Sequence, residues 1–274
     1  MLRKSLFLIF FILQNSLLFS QNNSLYDFKR VSISDIGVEL LTRQTWDENG
    51  NLWGVTEKGL VKYNGYSSNF FVHDSLNPNS LVSNRISLFE IVDNNEFWIT
   101  YADTTALTKF NPITEEFKHY FPDSTKENSL PFYQITKVFK DSKNRIWLPT
   151  WGDGLFKLNE ENGLCEKYKF PIAGDTVELP SFVKDIDELS DGRFLISFFS
   201  EFYGKRSWPV YFNPDNETYE QLNIKSLVPL SLSDGQRTTL EISMMIVHFA
   251  YEDVYKNIWF GTYSGLVHYD TKKK

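Results

Sequence analysis

The chain has 274 residues, a net charge of −7, 16% aromatic side chains and one cysteine, Cys165. It carries enough apolar material for a large core, which excludes intrinsic disorder. Mild acidity without lysine or arginine stripes excludes nucleic acid as a partner, and a lone thiol excludes an internal disulfide or a cysteine metal cluster.

Arg3 and Lys4 precede an apolar run from Leu6 to Leu13, continued at Leu17 to Phe19, with Ser20 before the polar Gln21 and Asn22. This order reads as a secretory signal over residues 1–20, cleaved near Ser20. The competing reading is an uncleaved membrane anchor, for which the break at Gln14 to Ser16 leaves the run short. No later stretch could cross a bilayer as a helix, so the product is expected in the periplasm or outside the cell, as one domain over residues 21–274.

An alternating segment, Leu25 to Ile33, comes first and reads as a strand without a neighbouring hairpin partner. Then one plan recurs five times: a polar turn, a short strand holding Trp, a second turn, and a strand closed by an aromatic residue and Asn or Asp. The anchors Trp53, Trp98, Trp147, Leu195 and Trp259 lie 45, 49, 48 and 64 residues apart. Such a period fits four strands and predicts an all-β fold, a β-propeller of about five four-stranded blades. The blades are expected at residues 38–72, 86–121, 135–170, 183–224 and 242–270, joined by linkers rich in Asn, Ser and Pro such as His73 to Asn84.

The fifth blade stops after three strands, and the orphan strand at Leu25 to Ile33 supplies the missing fourth. Pairing them closes the ring and removes an open edge. The competing account is a fragment of a longer array.

Turn residues Asp47, Gly50, Asp93, Asp141, Asp191 and Gly192 are expected to bond nearby backbone amides or to supply positive φ, with calcium binding as the weaker alternative. The Trp residues are expected to pack between blades. His73, His119, His248 and His268 lack metal-ligand spacing, and no cofactor is expected.

The combined pattern, D-x-x-x-N-x-hydrophobic-Trp through Thr to Gly-Leu and then an aromatic residue and Asn or Asp, resembles the two-component-regulator propeller repeat. The linker from His73 to Ile86 resembles the spacer of that family. The resemblance covers nearly all of the chain after the signal. It implies the extracytoplasmic sensing part of a membrane-spanning regulator, often a hybrid histidine kinase, that responds to polysaccharide breakdown products. The chain departs from the family in carrying few repeats and no kinase, DNA-binding module or later membrane helix, and blade four lacks the Trp and the Gly-Leu pair.

In a propeller the loops between second and third strands gather on one face around the channel. Here they hold Glu57, Lys58, Tyr101, Asp103, Trp151, Asp153, Tyr203, Lys205, Arg206 and Tyr263, rings for sugar C–H groups and charges for hydroxyls or a uronic carboxylate. The leading expectation is a sensor-like module for an oligosaccharide or other small polar ligand, working with a membrane-bound signalling partner. A protein-interaction platform or a truncated regulator fragment comes second. A polysaccharide lyase or hydrolase, built on a pair such as Asp103 and Asp153, comes third; no catalytic motif supports it, and the chain is not expected to be an enzyme.

Overall fold

The computed structural model describes residues 32–168, 170, 182–198, 209–222, 247–262 and 265–269. The chain divides into two units, Met1–Gly37 and Val38–Lys274. In the first unit Ser32 and Asp35 form a reciprocal capping box that starts a one-turn helix, α1 (Ile33–Ile36), and Gly37 ends it in a left-handed conformation. The closing strand expected at Leu25 to Ile33 lies outside the described residues except at its end, where Ser32 caps the helix and Ile33 is its first residue.

The second unit is all-β. Its strands are β1 (Thr42–Trp46), β2 (Leu52–Thr56), β3 (Gly59–Tyr63), β4 (Ser68–Phe71), β5 (Ile86–Asp93), β6 (Glu96–Tyr101), β7 (Leu107–Asn111), β8 (Glu116–Tyr120), β9 (Phe139–Lys140) and β10 (Ile146–Pro149). They continue as β11 (Leu155–Leu158), β12 (Cys165–Tyr168), β13 (Val183–Glu188), β14 (Phe194–Phe198), β15 (Val210–Asn213), β16 (Thr218–Gln221), β17 (Val247–Glu252), β18 (Ile258–Thr262) and β19 (Gly265–Tyr269). In sequence order they make four four-stranded antiparallel meanders and, among the described residues, a three-stranded fifth, an arrangement consistent with a propeller. The first strand carries a bulge, where Arg43 takes φ 47 and the register slips between Thr42 and Thr45.

Each turn between first and second strands is tied by one carboxylate. Asp47 accepts from the amides of Asn49 and Asn51 at 3.0 and 2.8 Å, as the turn chemistry predicts, and also from the Trp53 indole N–H at 2.9 Å. Asp253 repeats this with Tyr255, Asn257 and Trp259. In the second sheet the turn is one residue shorter, and Glu96 takes over the indole of Trp98 at 2.8 Å while Asp93 keeps the amide of Asn95.

Opposite each Trp of the first three sheets stands a lysine on the third strand. Trp53 faces Lys62, Trp98 faces Lys109 and Trp147 faces Lys157, with the ammonium 5.4, 5.5 and 5.9 Å from the ring centre. In the fourth sheet the pair changes strands. Leu195 is buried opposite Tyr211, and Arg193 covers that tyrosine at 4.6 Å. The missing Trp thus leaves all four strands paired, with one register shift between Val183 and Asp185.

Four apolar clusters join the sheets in sequence. Trp53 packs with Phe89, Phe97 and Phe110 of the second sheet; Trp98 with Ile146 and Leu148 of the third; Trp147 with Phe194 and Phe212 of the fourth; Leu195 with Val247 and Phe260 of the fifth. Trp53, Trp98 and Trp147 are fully buried, each side chain contributing about 1.5–3 kcal/mol or more. Ion pairs reinforce the seams, as where Lys140 reaches back to Asp93 and Glu96 at 3.0 and 2.8 Å. Among the described residues none of the four clusters joins the fifth sheet to the first. In the fifth sheet Trp259 is only half-buried, and Phe249, Tyr251 and Leu266 are 47%, 54% and 67% exposed.

Candidate functional site

The loops between second and third strands are built on a threonine and a glycine. Thr56 donates to the Gly59 carbonyl at 3.0 Å and accepts from the Lys58 amide at 3.1 Å. Thr150 does the same with Gly154 and Asp153, and Thr262 donates to the Gly265 carbonyl at 2.8 Å. Glycine is required at residue 59, where φ is +118° and a Cβ would lie 2.5 Å from the Phe71 carbonyl oxygen. In the second sheet Thr100 instead shares a 2.7 Å hydrogen bond with Ser87, and the loop swells from Tyr101 to Ala106.

That swelling makes a cleft of about 520 Å³. One wall is the loop from Thr100 to Ala106; the other is Leu130 and the linker residues Tyr133 to Ile135, with Ser87 contributing from β5. Two of the expected residues meet here. Asp103 is exposed and accepts the Ser83 hydroxyl at 2.9 Å. Tyr101 lines the cleft but is only 5% exposed, its ring part of the core between the first two sheets. Its hydroxyl meets Thr108 at 2.9 Å and accepts the Val82 amide at 3.2 Å, while burial pushes the phenol pKa up.

The other described candidates are not among the lining residues, though Trp151 adjoins them. Trp151 donates its amide to the Gln134 carbonyl at 2.8 Å, and its half-buried ring meets Phe182 edge-on at 5.3 Å. Asp153 pairs with Lys167. Lys58 lies over Phe70 at 5.5 Å. Glu57 is held below the usual carboxylate range by its own backbone amide first, then by the amides of Leu40 and Glu39. Tyr203, Lys205, Arg206 and Tyr263 lie outside the described residues.

Sequence reasoning missed Tyr133 and Gln134. Tyr133 is 51% exposed and lies over Gly152, where a Cβ would come within 2.8 Å of its ring. The signal that could have found them was the pair Phe132 and Tyr133 in SLPFYQ, where the preceding linker has SLVSNR. An aromatic pair in an otherwise polar connector is a local anomaly.

Sequence reasoning also missed a charged group on and near the first strands. Lys137 donates to Asp185 Oδ1 at 2.7 Å and to the Ile186 carbonyl at 2.8 Å. Burial raises the pKa of Glu90, and burial first, then the carboxylates of Asp185 and Glu252, pushes Asp187 up to about 6 against the opposing pull of Lys137. Among the described residues no group of three or more His, Cys, Asp or Glu is placed to hold a metal ion, and no helix is long and apolar enough to cross a membrane.

No family model matches the chain. It is similar to Histidine kinase P4 of Formosa agariphila, 28% identical over 273 aligned residues that cover 81% of this chain and 18% of that protein. The chain thus spans less than a fifth of that kinase's length. Among solved structures it is similar to the extracellular domain of the hybrid two component system BT3049 from B. thetaiotaomicron, with a TM-score of 0.63 and 18% identity, covering 89% of this chain and 30% of that one. PorZ, a surface component of the type-IX secretion system of Porphyromonas gingivalis, gives 0.59 and 14%, with 89% and 34% covered. Virginiamycin B lyase from Staphylococcus aureus gives 0.52 and 12%, with 83% and 68% covered. At these identities the likeness is one of fold, an all-β architecture found in the extracellular domain of a two component system, a surface component and a lyase alike.

Proposed function

We propose that this chain is an exported, sensor-like β-propeller of five blades, closed by its own N-terminal strand, that binds an oligosaccharide or another small polar ligand and acts with a membrane-bound signalling partner. The observation that carries the reading is the cleft beside the Thr100 to Ala106 loop, which unites Asp103, exposed hydroxyls and the ring of Tyr133. Its volume falls within the usual range for small-molecule sites, roughly 300–1,000 Å³. The fold shared with an extracellular domain of a hybrid two-component system and the sequence similarity to a histidine kinase agree with a sensing role. Binding is favoured over cleavage, since Asp153, the carboxylate that could oppose Asp103, is paired with Lys167. Titration of neutral, amino and uronic disaccharides into the wild type and Tyr133→Ala tests it: saturable binding weakened by the substitution is expected, and equal binding by both proteins removes the cleft from the account.

A second reading, a protein-interaction platform, draws on the fifth sheet, where Phe249, Tyr251 and Leu266 are exposed. Leu266→Lys should then abolish co-purification of a partner while leaving glycan binding intact.

A further inference from the structure

The cleft's charge bears on what it can hold. Asp103 is the single charged side chain among its described lining residues, with no lysine, arginine or histidine beside it there. Asp103 Oδ2 takes the Ser83 hydroxyl, and Oδ1 has no partner among the described residues. Thr104, Thr105 and Gln134 offer hydroxyl and amide groups that both donate and accept. Tyr133 adds a half-exposed ring that lies over Gly152 and offers an apolar face beside these polar groups.

We infer that the cleft selects against anionic ligands and prefers a saccharide bearing a protonated amine, with neutral sugars intermediate and uronates excluded. This rests on the reading of the cleft as a ligand site. The physical reason is one of pairing. A uronic carboxylate entering here would lose water and meet another carboxylate with no cation in the lining to compensate, whereas an ammonium would gain the second oxygen of Asp103. Neutral hydroxyls can donate to the same oxygen, which gives the intermediate rank. Among the described residues, two cations of these loops and strands are directed elsewhere, Lys58 over Phe70 and Lys167 against Asp153.

The experiment is calorimetric titration of a glucosamine disaccharide, its N-acetylated form, cellobiose and a saturated diuronic acid into wild type, Asp103→Asn and Tyr133→Ala, at low and at physiological salt. In the wild type the amino sugar should bind roughly three- to tenfold tighter than the neutral ones, with the uronate weakest and the gap narrowing with salt. Asp103→Asn is an exposed, isosteric change and should level the series without altering the thermal midpoint. Uronate binding equal to or tighter than that of the amino sugar overturns the selectivity while leaving the site in place. Unchanged affinities for every sugar in Tyr133→Ala, or no binding by the wild type, overturn the site itself and the inference with it.

Discussion

Asp141 accepts the indole N–H of Trp147 at 2.9 Å while its other oxygen takes the amides of Lys143 and Arg145 at 3.0 and 2.8 Å. The Arg145 guanidinium reaches the same carboxylate at 2.5 Å and continues to Asp215 of the fourth sheet at 3.1 Å. One buried carboxylate thus fixes a turn, orients a core ring and anchors a seam. Asp141→Ala leaves these donors without their acceptor and should cost about 2–4 kcal/mol in urea unfolding at neutral pH.

The same carboxylate sets an acid limit. Burial opposes its charge, but the hydrogen bonds from Trp147 and Arg145 outweigh burial and hold its pKa below 3.8. A depressed carboxylate stabilises the fold above its unfolded pKa and loses that contribution as pH falls through the folded value. The stability gap between wild type and Asp141→Ala should therefore be full at pH 7 and shrink below about pH 4.

Asp187 acts in the opposite sense. Its folded pKa is raised to about 6 from 3.8, so the folded chain holds a proton that the unfolded chain releases, and its effect favours folding as pH falls from above 6 toward 4. Asp187→Asn should raise the melting temperature at pH 7.5 by about 2 °C, a modest figure because the group remains partly solvated, and should match wild type near pH 4. An equal shift at both pH values would assign the effect to packing.

Trp147→Ala and Trp259→Ala remove the same side chain from equivalent registers, opposite Lys157 and His268. Trp147 is fully buried between two sheets, whereas Trp259 is half-buried. Chemical denaturation should give a loss of about 3–5 kcal/mol for the first and clearly less for the second.

Gly152→Ala combines strain with displacement, since φ there is +128° and the new methyl would strike the Tyr133 ring. The substitution should weaken ligand affinity along with stability. Gly163→Ala, with φ +72° and a tight contact at Tyr120, should lower stability alone.

The repeating parts of the fold were legible because each is a local rule. Asp47 to the amides of Asn49 and Asn51, the turn from Thr56 to Gly59 and the pairing of β2 with β3 are written within a few residues of one another. What was hidden depends on two sheets meeting. Tyr101 sits in a loop by sequence, yet Thr108 and Val82 draw its hydroxyl into the seam. Tyr133 lies over Gly152 of a later loop, and Asp187 owes its raised pKa to burial beside Asp185 and Glu252, which linear spacing does not reveal. The exchange of Trp and Lys for Tyr211 and Arg193 was hidden for a simpler reason: ring and cation had traded strands.

Among the described residues the apolar seams run between consecutive sheets. Local opening in one sheet is then felt chiefly by those beside it. The third sheet, clamped on both faces by Trp98 and Trp147, would hold its amide protons longest against deuterium.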